Sequence, residues 1–250
     1  MSGSMGDYIK SMVFGGMDGI ITTFAIVCAA SGASKDDATI VTMGVANLVA
    51  DSISMGMGDY ISERAEQDYA GVKKAKVLEL IRQNPKAQRE ALVESYVKER
   101  GMEKSDAVEV VNRIAKYDDI LADQIMQNVE GIEPPDDEAN AMMKGVVTAA
   151  SFVVFGSVPL FIFLIKSKVD PVHPHPPAWH PDDPLVISTA ASGVTMFLLG
   201  ALSGSFTEQS KIKAGFVMAA HGLFAAFAAY ALGHAMDAIY AEGSPIKADL

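Results

Sequence analysis

Five stretches of this chain are apolar over the length of a membrane crossing, at residues 12–33, 40–61, 143–165, 185–206 and 214–236. Each approaches the ~20 residues an α-helix needs to cross ~30 Å of hydrocarbon. Polar breaks at 34–37, at the proline-rich 169–184 and at 207–213 separate them, and a long polar stretch lies between the second and third. The pattern predicts an all-α membrane protein of five transmembrane helices carrying a helical insert between the second and the third. The division is 1–62 for helices one and two, 63–139 for the insert and 140–250 for helices three to five. An odd number of crossings puts the termini on opposite sides. Lys10, Arg64, Lys73, Lys74, Lys76, Lys144, Lys211 and Lys213 then share one side, against Lys35, Lys166, Lys168 and Lys247 on the other. That bias places the N-terminus and the insert in the cytosol.

The second apolar stretch has no stop signal at Ile61, since nothing breaks a helix before Asn84-Pro85. One helix of about forty residues, leaving the bilayer near Asp59 or Glu63, is therefore predicted. In the insert, Asn84 reads as an N-cap with Pro85 at the first helical position and Gly101 just past the end. Ser105 is expected to cap a second helix running to about Glu130 and stopped by Gly131, with Glu133-Pro134-Pro135 as the exit.

Along the second crossing, Asn47, Asp51, Met55, Asp59 and Glu63 recur every fourth residue. A step of four advances about 40° around a helix and about 6 Å along it, so these groups form a slowly turning ladder. A carboxylate at such depth costs on the order of 2.5–3.5 kcal/mol on insertion scales, which favours service to an ion over service to the fold. Asp18 stands inside the first crossing, in Phe14-Gly15-Gly16-Met17-Asp18-Gly19, where glycines let a neighbouring helix or a hydrated ion come close. In the insert, Glu90 and Glu94 stack one turn apart, and Asp119, Asp123, Met126 and Glu130 have the spacing of a shared helix face. A single acid on such a helix is more often a solvated surface; the cluster with a methionine points to metal.

Half of the 250 residues are hydrophobic, with 31 acids, 20 bases and a net charge of −11. More than half of both charge types fall between Glu63 and Glu138. No basic stripe remains for nucleic acid, and cations are the better partners. The single cysteine, Cys28, cannot form an intrachain disulfide and reads as a small buried residue. Asp18 interrupts the first apolar stretch, so a cleavable signal peptide is not expected. His173, His175 and His180 lie among prolines in a stiff loop with Trp179 at the interface, a poor frame for a closed coordination shell. His221 and His234 read as packing residues of the fifth crossing. Gly200-x-x-x-Gly204 marks tight helix packing.

Carboxylates, an amide carbonyl and thioethers together suit Fe²⁺ or Mn²⁺ held loosely enough to leave, whereas a permanent Cys/His site is missing from the pattern. Metal binds the deprotonated acid and a proton expels it, so Asp18 and Asp51 facing an acidic lumen would exchange the two.

The run from Phe14 to Gly19, Ser31-Gly32-Ala33, Gly44-Val45-Ala46-Asn47 and Asp51-Ser52-Ile53-Ser54-Met55-Gly56-Met57-Gly58 resembles the vacuolar iron transporter family of plants, fungi and protists. The resemblance covers nearly the whole chain. It implies a homodimer that moves ferrous iron, and often manganese, from the cytosol into an acidic vacuole-like store by proton antiport, with Zn²⁺ as a further candidate cargo and no cofactor. The family's first-span aspartate corresponds to Asp18 and its second-span methionine to Met55. Its second-span glutamate is replaced by Asn47, and Asp51 one turn on supplies a carboxylate where the plant proteins commonly have a small residue. The family's insert binds metal through glutamates and a methionine, for which Glu79, Glu90, Glu94, Met126 and Glu130 are the matches. An enzyme is not implied, since the Glu-x-x-His repeats of di-iron bundles are missing. A membrane-embedded metal sensor or buffer is the alternative, and it has no need of acids inside the membrane.

Overall fold

The computed structural model describes residues 5–135, 138–169, 181, 183–207 and 209–242. Every regular element among them is helical: α1 (Met5–Gly32), α2 (Asp37–Gln83), α3 (Pro85–Arg100), α4 (Lys104–Ile114), α5 (Asp118–Ile125) ending in a π-helical turn (Met126–Glu130), α6 (Glu138–Val169), α7 (Pro184–Phe206) and α8 (Lys211–Glu242). Five have the length and apolar character to cross a membrane, within Tyr8–Gly32, Asp37–Gln83, Asn140–Ile165, Pro184–Phe206 and Lys211–Tyr240. The chain divides into two compact units, one holding Tyr60–Ala141 and the other the membrane-length segments before and after it. The 47-residue α2 contributes to both.

In the membrane unit, Ile20, Phe24 and Val27 of α1, Leu48 of α2, Phe152 and Leu160 of α6, Met196 and Leu199 of α7 and Met218 of α8 form one buried cluster. Lipid tails are as apolar as these side chains, so close backbone packing must hold the helices together. A Cβ at Gly15 or Gly19 would strike the backbone of Thr148 or Phe152, which sets the glycines around Asp18 against α6. Gly200 and Gly204 likewise let α7 press on Ala214 of α8, as their spacing predicts. Outward, α8 exposes Phe224, Phe227 and Leu232, as a lipid-facing helix does.

The insert has its own core: Val77 and Ile81 from α2, Leu92 and Tyr96 from α3, Ala107 and Val111 from α4, and Leu121, Ile125 and Met126 beyond. Asn84 caps α3 by accepting a hydrogen bond from the Ala87 amide, Pro85 opens it, and Gly101 ends it with φ 68°, all as the sequence indicates. The second predicted helix is corrected in two ways. It begins after Glu103, and Ser105 donates to the Glu103 side chain instead of capping. It also breaks at 115–117, where α5 starts afresh with Asp118 and Asp119 in its first turn, the place a helix dipole favours acids. The final turn is wound as a π-helix and closes at Gly131, φ 68°.

Candidate functional site

On α2 the row Gly44, Leu48, Ser52 and Gly56 is buried, and Asn47, Asp51 and Met55 each sit one residue before a member of that row. Asn47, Asp51, Met55 and Asp59 are accordingly half-buried, along the edge of the packed bundle. The side chain of Met55 packs against the buried cluster. On the other side of the rungs, Ala46, Ala50, Ser54 and Gly58 form an exposed stripe of small residues.

The Asn47 amide donates a 2.7 Å hydrogen bond to Oδ2 of Asp51. Asn47 therefore meets Asp51 as a donor, so one oxygen of that carboxylate is oriented and the other is left for a further partner. Asp18, half-buried on α1, lies close enough to feel the charge of Asp51. The two acids picked out in separate crossings thus lie within range of each other's charge. Asp59 takes a different part: its Oδ2 accepts hydrogen bonds from Thr148 of α6 at 2.5 Å and from Ser11 of α1 at 3.4 Å. Those hydroxyls are partners that sequence reading missed, since Thr148 lies 89 residues away and nothing in its own neighbourhood marks it. Glu63, half-buried, belongs to the other unit.

In the insert, five of the candidate acids face a cation of the chain. Glu130 lies 3.5 Å from Lys73, Asp123 2.7 Å from Lys74, Glu90 3.9 Å from Lys86 and Glu79 4.0 Å from Arg82, with Gln83 also donating to Glu79 at 2.9 Å. Glu94 pairs with Lys98, whose hydrogen bond and then its charge hold that carboxyl below its ordinary range. The expected common face of Asp119, Asp123, Met126 and Glu130 is not formed. Met126 is fully buried while Asp119, in the first turn of α5, and Glu130 are exposed, and the π turn from Met126 onward widens the winding and takes Glu130 off the α register. Among the described residues, no group of three or more His, Cys, Asp or Glu is arranged to hold a metal ion. His173, His175, Trp179 and His180 lie outside the described residues.

A model of the VIT family matches residues 9–234, almost the whole helical chain. The chain belongs to that family. It is 31% identical to a protein of Toxoplasma gondii named Vacuolar iron transporter, over 93% of this chain and 76% of that one. It is 28% identical to the Vacuolar iron transporter of Plasmodium berghei, over 91% and 81% of the two chains. Against Vacuolar iron transporter 1 of Arabidopsis thaliana it is 26% identical, over 91% and 85%. These relatives of the VIT family chain carry the names of transporters, not of enzymes.

Proposed function

We propose that this chain carries ferrous iron, and with it manganese, out of the cytosol into an acidic vacuole-like compartment in exchange for protons. The observation that carries the reading is a carboxylate oriented by an amide, Asp51 by Asn47, inside a membrane-length helix and within range of the charge of Asp18, in a chain similar to proteins named vacuolar iron transporters. Two carboxylate groups attract a divalent cation, Met55 one turn on adds a thioether that favours iron over magnesium, and protons from the acidic side displace the metal. Asp59 and Glu63 continue the path toward the cytosol. The N-terminus and the insert lie on the cytosolic side, as the Lys/Arg bias indicates.

The working unit is a homodimer, with the α2 edges of two copies face to face. Two features of α2 support this: its rungs are only half covered within one chain, and the small-residue stripe beside them lets helix backbones approach closely. A second copy would complete a ligand set that one chain leaves open. The insert gathers metal for the path through Glu79, Glu90, Glu94, Asp119, Asp123 and Glu130. Metal must displace lysines there, and Met126, fully buried in the insert's core, reaches it only if that core opens.

Uptake by sealed proteoliposomes, with Fe²⁺, Mn²⁺ or Zn²⁺ outside and an acid interior, tests the reading. Accumulation that collapses when the pH gradient is removed is expected, and Asp18→Ala or Asp51→Ala in folded protein should abolish it. Metal bound without accumulation would instead identify a sensor or buffer.

A further inference from the structure

A cavity of about 320 Å³ lies between α1, α7 and α8, beside the short connection from α7 to α8. Its polar lining is Ser203 from the end of α7, Gln209 from the connection, and Lys213 and His221 from α8, while Val13 and Val217 supply an apolar wall. None of the ladder residues lines it, and neither does Asp18, although the neighbouring Met17 does.

Among the described residues the charge around it is of one sign. Lys211 and Lys213 occupy the first turn of α8, which contains no acid, although the positive end of a helix dipole favours negative charge and disfavours cations there. Among the described residues no carboxylate pairs with either lysine. The exposed Lys213, Gln209 and His221 and the half-buried Ser203 thus border a space to which the described residues contribute no anion. Its volume is at the small end of the ~300–1,000 Å³ typical of ligand pockets. Its apolar wall continues outward into Val217 and the neighbouring Phe216, which are 61% and 64% exposed on a membrane-length helix.

We propose that this cavity binds an anionic phospholipid, its headgroup phosphate against Lys213, Gln209 and Ser203 and an acyl chain along Val217 and Phe216. Basic pockets between membrane helices are suited to such headgroups. The apolar wall selects the lipid over free phosphate, which would satisfy the lysine and leave Val217 and Phe216 uncovered. Such a lipid would clamp the first turn of α8 to α1 and α7, the helices the cavity joins.

Native mass spectrometry of the full chain in detergent, titrated with phosphatidic acid or phosphatidylcholine, tests this. One phosphatidic acid per chain should be retained at least roughly tenfold more tightly than phosphatidylcholine. Lys213→Gln should weaken it by about fivefold, the change that corresponds to roughly 1 kcal/mol per lysine, and Lys213→Arg should restore it. Ser203→Leu, which fills the cavity without touching the lysine, should also weaken retention. Equal retention of the two lipids, or Lys213→Gln and Ser203→Leu both binding like the parent, would overturn the proposal. Complete displacement of phosphatidic acid by millimolar inorganic phosphate would overturn the lipid as the ligand and leave a simple anion site.

Discussion

Asn47 and Asp51 act as a unit. The 2.7 Å hydrogen bond lets the amide orient the acid without adding charge, so the membrane holds two neighbouring carboxylate groups, Asp18 and Asp51, where a glutamate at position 47 would make three. Like charges close together in a low dielectric disfavour joint ionisation and hold a divalent ion more tightly. Asn47→Glu in the intact chain should therefore lower both KM and the maximal rate of iron uptake, since a path must bind weakly enough to release. In an Asp51→Ala background the same substitution returns a carboxylate one turn away, about 6 Å along the helix, and should restore part of the transport. Uptake kinetics that change in neither background would place Asn47 off the path. Met55 allows a cleaner separation of chemistry from packing. Met55→Leu conserves volume and costs under about 1.5 kcal/mol of stability, so expression and thermal melting should persist while the preference for Fe²⁺ over Mg²⁺ in competition uptake falls; an unchanged preference would make Met55 a packing residue.

At the scale of elements, the insert presents acids already engaged by lysines. Lys74 lies 2.7 Å from Asp123 and Lys73 3.5 Å from Glu130, so a divalent ion at either acid competes with an ammonium from α2. Glu94 is held ionised by Lys98, so near neutral pH the rival for that acid is the lysine, not a proton. Lys74→Gln should accordingly tighten metal binding several-fold and Glu130→Ala should weaken it, measured by calorimetry on the full chain carrying Asp18→Ala and Asp51→Ala to silence the path. Affinity indifferent to both would remove metal binding from this unit. The same elements show what sequence makes legible. Five helices of membrane-crossing length, an unbroken α2, the Asn84-Pro85 start of α3 and the glycine stops at 101 and 131 all follow from local chemistry within a few residues, and all are found. The break at 115–117 has a local signal in Asp118 and Asp119, acids suited to a first turn, which a single helix drawn from Ser105 to about Glu130 leaves unused. The π turn and the lysine partners of Asp123 and Glu130 had none, since Lys73 and Glu130 are 57 residues apart and are brought together only by packing of α2 against the rest of the insert, whereas Lys86 and Lys98 stand one helical turn from Glu90 and Glu94. The tie from Asp59 to Thr148 was hidden for the same reason.

At the scale of the whole molecule, α2 is the helix whose polar edge needs a cover. A single chain leaves Asn47, Asp51 and Met55 half-exposed beside Ala46, Ala50, Ser54 and Gly58, and a Cβ added at Gly58 would meet no atom within 4 Å. Carboxylate groups at that depth facing hydrocarbon would be costly, whereas a second copy apposed along the small-residue stripe would exclude lipid and supply a further set of ligands to each path. Cys28 is the only cysteine and is buried, so a new thiol reports cleanly on this surface. Ser54→Cys in a Cys28→Ser background should yield a disulfide-linked dimer in membranes under mild oxidation, while a cysteine at Phe224, exposed on α8, should not. Ala50→Trp would hold the helices apart and should abolish both the cross-link and iron uptake while leaving the monomer folded, because position 50 points away from the bundle core. Robust uptake by an Ala50→Trp protein that no longer cross-links would mean that one chain suffices, and would move the path from between two copies to within one.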